Sequence, residues 1–161
     1  MVYFIMICEL LWVGRIDLKS KKISNSWGLI HILLAMVLYL SKFNPYVFSW
    51  EICILPLFVL FIGFLLYLVE VMGAGDSKFL ASFLLIIPIN FQLIFLEKLV
   101  LSTILTGGIL LTFRLVKSWP HVKALLMSRH WKGIRDIMSS RFSYAPVILL
   151  GWILFGLEVW K

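Results

Sequence analysis

The chain has 161 residues, 62% of them hydrophobic, and carries a formal charge of +7. Soluble domains hold roughly 45–50% apolar residues, and an interior of this size cannot hide the excess, so the composition excludes an ordinary soluble domain and points to lipid as the covering solvent. The basic residues fall between hydrophobic runs, which argues against a nucleic-acid partner, and the two cysteines, Cys8 and Cys53, form no CxxC or Cys/His cluster, which argues against a zinc site or a disulfide framework.

The expected architecture is one membrane-embedded domain over residues 1–161, an all-α polytopic membrane protein built as a bundle of about six transmembrane helices. A spanning helix takes about 20 apolar residues. In chain order the spans are expected at 2–16, 27–40, 52–71, 79–96, 99–116 and 144–160. No basic segment precedes the first apolar run, so no cleavable signal peptide is expected. The first two runs are short and would thin the bilayer or draw flanking residues inward. The fourth carries Pro88 and Asn90, a place to kink or break. The fifth holds Ser102, Thr103, Thr106, Gly107 and Gly108, small residues of the kind that let helix backbones approach closely in lipid. Between the fifth and sixth spans, Leu126, Met127, Trp131, Ile134, Ile137 and Met138 fall on one side of a helix and Arg129, Lys132 and Arg135 on the other. This is the pattern of an amphipathic cytoplasmic helix lying on the inner leaflet, its cations near lipid phosphates. Trp50, Trp152 and Trp160 suit interfacial aromatic belts.

Sidedness follows from the cations. Arg15, Lys19, Lys21 and Lys22 lie in the first inner link, Lys78 in the second, and Arg114, Lys117, Lys123, Arg129, Lys132, Arg135 and Arg141 in the third, against only Lys42, Lys98 and Lys161 on the other side. The positive-inside rule puts these three links in the cytoplasm and both termini outside.

That topology returns Asp17, at the inner end of span one, and Asp76, at the head of span four, to one face. Each alone reads as readily as a helix cap or a solvated end, Asp76 as an N-cap. Together they carry chemistry: neighbouring carboxylates cannot both ionise easily and so share a proton. The ionised member can then take a proton from water while the protonated one polarises a carbonyl, a route to peptide hydrolysis that needs no metal or other cofactor.

The run Glu70-Val-Met-Gly73-Ala-Gly75-Asp76-Ser-Lys78 resembles the Glu-x-Met-Gly-x-Gly-Asp-x-Lys signature of the bacterial type IV prepilin peptidases, which belong to the GxGD-type membrane aspartic peptidases. The segment Asp17…Ile23-Ser24-Asn25 is similar to their first motif, Asp-x(5)-Ile-Pro-Asn, with Ser24 in place of the proline. Phe142-Ser-Tyr144-Ala-Pro146 with Gly151 resembles their last helix more weakly. The chain looks like the short, peptidase-only members, without the domain of paired CxxC motifs that accompanies N-methylation in the long ones. The resemblance implies a membrane aspartic endopeptidase of the bacterial inner membrane, with Asp17 and Asp76 catalytic at the cytoplasmic face. Its implied substrate is a prepilin or pseudopilin precursor, a short basic leader followed by a hydrophobic helix.

Around the aspartates, Gly73 and Gly75 either permit a tight turn or keep backbone close to Asp76 and substrate. Glu70 either tunes the pair or packs as a protonated acid. Lys78 meets lipid phosphate or the site, and Asn25 holds a helix start through its side chain. Glu9 in span one reads as a packing contact and His31 as a satisfied buried histidine. Two other readings stay open: a proton-coupled transporter using Glu9, Asp17, Glu70 and Asp76 as a relay, and a non-catalytic subunit of a pilus or secretion apparatus.

Overall fold

The computed structural model describes residues 2–20, 24–41, 45–69, 72–117 and 144–159, and within them every regular element is helical. The chain forms α1 (Val2–Ser20), α2 (Asn25–Leu40), a 3-10 turn (Trp50–Cys53) running directly into α3 (Ile54–Leu68), α4 (Ala74–Ile86), α5 (Ile89–Lys117) and α6 (Ala145–Val159). Glu70 and the amphipathic segment 126–138 lie outside the described residues. Two stretches, Trp50–Leu68 and Ile89–Leu110, are long and apolar enough to cross a membrane. The outward faces are oily: Leu29, Val37, Phe58, Phe61, Phe64, Leu93 and Ile104 are all exposed, where a soluble protein would place polar side chains.

Packing divides the helices into two sets. In one, α2 and α3 both lie against α4; in the other, α1 and α5 both lie against α6. Alpha-1 runs antiparallel to α6. Tyr3, near the start of α1, stacks on Trp152, donates its hydroxyl to the Trp152 carbonyl and accepts the indole N–H on its own carbonyl. At the other end of α1, the Ala145 N–H reaches Asp17. Gly156 makes room for this, because a methyl group there would overlap the Tyr3 ring. Between α5 and α6, Ser102 donates to the carbonyls of Leu99 and Val147, and Gly151 brings the backbones close beside it. Gly107 and Gly108, expected at such an approach, have open space around them among the described residues.

The two sets meet over an aromatic cluster. Trp152 packs against Phe83, Phe95 and Phe155 with ring centroids 5.1–5.7 Å apart, and Phe83 and Phe95 are wholly buried. The belt position expected for Trp152 is therefore wrong: only 5% of it is exposed, while Trp50 is 82% exposed. The indole N–H finds its acceptor inside the bundle, on Tyr3, and so has no need of an interface.

A break falls at Pro88, where the sequence allowed a kink or break, but the bounds of the fourth and fifth helices differ from expectation. Spans of 79–96 and 99–116 would put the link between them near Glu97 and Lys98; it lies instead at Ile87–Pro88. Ile87 is extended, as a residue before proline prefers. The buried Gln92 amide reaches the carbonyls of Leu84 and Ile87, acceptors at the broken helix end, and also that of Ile52 in the 3-10 turn ahead of α3. Helix α5 then continues through Glu97 and Lys98, because Lys98 pairs with Glu158 of α6 as well as with Glu97.

Candidate functional site

Asp76 occupies the first turn of α4, ahead of the apolar stretch that begins at Phe79. It is not the N-cap: that position belongs to Gly73, whose extended backbone ends the link from α3. The Asp76 carboxylate reaches back and accepts the Gly73 N–H at 3.2 Å, the acid half of a capping box. Gly73 must be glycine for this arrangement, since a Cβ would stand 2.9 Å from the Asp76 carboxylate. Gly75 is half-buried in the same turn.

A second glycine, which nothing in the sequence marked, sets the position of this turn from the side. Gly63 of α3 faces Ser77, and a Cβ there would come within 2.6 Å of the Ser77 side chain. The close approach of α3 to α4 is therefore built one residue from Asp76.

Asp17 opens the last turn of α1, which continues to Ser20, so this aspartate is helical and not in a link. It is 2% exposed and Asp76 8%. Its carboxylate accepts the Ala145 N–H at 3.3 Å, at the start of α6, where an anion meets the positive end of a helix. The two aspartates come from different helix sets yet lie within electrostatic reach of each other. Burial is the largest cause raising the Asp76 pKa, to about 6, the Asp17 charge adds to it, and the Gly73 N–H opposes both. Tyr144, just ahead of α6, also stands in the field of Asp76, and its hydroxyl shares a 3.1 Å hydrogen bond with Thr103 of α5. The Tyr144-Ala-Pro146 segment thus supplies both an N–H to Asp17 and a phenol beside Asp76.

The other expected residues lie around this pair in different ways. Lys78 is exposed on α4, at the edge of an apolar groove of about 400 Å³ lined by Leu57, Leu60, Phe61, Phe64 and Tyr67 of α3. Asn25 begins α2 and is exposed; the capping bond there comes from Ser24, whose hydroxyl accepts the Ser26 N–H at 3.3 Å. Ser24 thus gives the helix start a cap that a proline there, lacking a side-chain acceptor, would not. Among the described residues no group of three or more His, Cys, Asp or Glu side chains gathers in a way that would hold a metal ion.

Chemically, the arrangement is two buried carboxyl groups, brought from two helices, of which Asp76 holds its proton more tightly than an ordinary carboxylic acid. Residues 4–160 match the model of the type IV leader peptidase family. No curated protein and no solved structure matches the chain.

Proposed function

We propose that this chain, which belongs to the type IV leader peptidase family, is a membrane aspartic endopeptidase whose catalytic pair is Asp17 and Asp76. The observation that carries the reading is their juxtaposition. Two buried acids, on helices of different sets and 59 positions apart in the chain, interact through their charge at one end of the bundle. Membership of the family makes the chain a peptidase; the pair supplies a mechanism. With one proton between them, the ionised carboxylate takes a proton from water as that water attacks the scissile carbonyl, and the protonated one hydrogen-bonds the carbonyl oxygen and stabilises its developing charge. The roles of the two stay unassigned, since a coupled pair titrates as a unit.

The substrate that fits is a prepilin or pseudopilin, cut between its basic leader and its hydrophobic helix at the cytoplasmic boundary of the bacterial inner membrane. Three observations support that placement. The exposed apolar faces suit lipid. The antiparallel contact of α1 with α6 puts the first and last described residues at one end and the aspartates at the other. Among the described residues, Arg15 and Lys19 share the last turns of α1 with Asp17 and Lys78 follows Asp76 on α4, and the positive-inside rule assigns an end rich in cations to the cytoplasm. In this reading all six helices cross the bilayer as one domain, with both termini outside and the apolar groove beside Ser77 open to lipid and to a hydrophobic segment arriving through it.

Co-expression with a tagged prepilin tests the reading, with processing followed by gel shift and N-terminal mass. The native chain should remove the leader, while Asp17→Asn and Asp76→Asn should each fail. Cleavage that persists in both variants would rule out the aspartate mechanism.

A further inference from the structure

A second buried polar group lies deeper in the bundle and crosses the same boundary between helix sets. Glu9 of α1 contacts the Nε2 of His31 of α2 at 2.6 Å, and the Nδ1 of His31 contacts the hydroxyl of Ser82 of α4 at 3.0 Å. Ser82 gives its own proton to the Phe79 carbonyl, so its oxygen is left to accept, and Nδ1–H is the donor. The short contact sets the Glu9 carboxyl against the imidazole, so each of these polar groups has a partner inside an apolar interior. His31 is wholly buried and lies against the rings of Phe79 and Phe83.

Its place in the fold gives this group a task. Alpha-1 is registered to α6 by the Tyr3–Trp152 pair of hydrogen bonds and by the contact of Ala145 with Asp17. Asp76 is registered to α2 and α3 through α4. The aromatic cluster joins the two sets through many weak contacts that have no single direction. A hydrogen bond of 2.6 Å has one. Glu9 lies two turns above Asp17 on α1, roughly 12 Å along the axis, and Ser82 six residues above Asp76 on α4, roughly 9 Å.

We propose that Glu9, His31 and Ser82 form a positioning latch that fixes the axial register of α1 against α4, and so the separation of Asp17 and Asp76. The proposal rests on the aspartate-pair reading above. None of the three residues touches the reacting atoms. They act by holding the two helices that carry them, and a displacement of about 1 Å in such a pair costs up to about a hundredfold in rate.

The experiment is steady-state cleavage of a prepilin by the full chain in native membranes, normalised to folded protein, with Asp17→Asn run in parallel. His31→Leu and Glu9→Leu should lower kcat at least about tenfold with KM within about twofold. Glu9→Gln keeps a hydrogen-bonding partner for Nε2 and should recover kcat to within about threefold of native. Ser82→Ala, the mildest change and the one least able to prevent folding, should lower kcat about threefold by the same displacement argument. A slackened latch also moves the carboxyl groups apart, so the alkaline limb of the pH profile should shift to lower pH in Glu9→Leu; Asp17, Asp76 and the neighbouring Tyr144 are the groups that face one another there. Native kcat and an unmoved alkaline limb in the folded fraction of all these variants, with only folded yield reduced, would overturn the latch. If Asp17→Asn also cleaved, the aspartate reading itself would fall, a separate result.

Discussion

Helices α1 and α4 each contribute to two buried polar sites, and the sites differ in the sign of the neighbour. At one end of the bundle, Asp17 of α1 meets Asp76 of α4, acid against acid. Deeper in, Glu9 of α1 meets His31, which is tied in turn to Ser82 of α4, acid against base. The two contacts differ in what holds them. The acid–base pair is held together by attraction and satisfied internally, so it gains nothing by passing its proton on. In the acid–acid pair the Asp17 charge helps to hold the proton on Asp76, and in the proposed mechanism one carboxyl then acts as acid while the other acts as base. Within one pair of helices, a buried carboxylate becomes structure or chemistry according to what faces it.

The largest test of that contrast is the same loss of charge made at both sites. Asp17→Asn or Asp76→Asn should lower cleavage by at least about a hundredfold, the scale of one general acid or base. Glu9→Gln should stay within a few-fold, because its amide still reaches His31. The measurement is N-terminal mass of a co-expressed prepilin. Equal losses at both sites would erase the distinction.

Gly63→Ala comes next. Its methyl would press on Ser77 at 2.6 Å and push α4 from α3 beside Asp76. Overpacking of this kind costs about 1–3 kcal/mol, and a lower thermal midpoint in detergent should accompany reduced cleavage. The Glu9–His31 contact, on the other side of α4, should be spared. Gly73→Ala should separate the two effects. Its methyl meets only the end of the Asp76 side chain, at 2.9 Å, which can swing away. Midpoint should therefore change little while kcat falls several-fold, read from the same cleavage assay against a melting curve.

How much of this was legible in the sequence follows the range of each interaction. Asp76 and Gly73 sit three residues apart and carry their geometry in a local motif. Asp17 has no such local signal of its own, and became visible as a partner only through topology and resemblance. The latch was not legible, because Glu9, His31 and Ser82 are separated by 22 and 51 positions and only packing brings them together. Read singly, Glu9 was a packing contact and His31 a satisfied histidine; their partners were the missing information. Gly63 was hidden for the same reason, as one glycine among leucines and phenylalanines whose meaning lies in Ser77 of another helix. The break in the fourth span shows the converse. Pro88 marked its break locally, whereas Glu97 and Lys98 look like a link until the pairing of Lys98 with Glu158 lets the charges ride on a continuous helix.

The smallest effect sharpens the comparison through pH. Asp76 has its pKa raised to about 6, by burial first and by the Asp17 charge second, with the Gly73 N–H lowering it. A carboxyl raised above its unfolded value binds its proton more tightly in the folded state. Its contribution to stability is thus fully present below the unfolded pKa of about 3.9 and is lost as pH rises through the folded value. The thermal midpoint of the native chain in detergent should therefore fall between about pH 4 and pH 6 and contribute no further change from this group above that. Asp76→Asn removes the titration and should flatten this part of the curve. Asp17→Asn removes only the second cause, so the fall should survive, smaller and ending at lower pH. A native curve that rises across this window would mean that Asp76 is stabilised as an anion, and the inner site would then resemble the Glu9–His31 pair in kind, an acid satisfied by its surroundings.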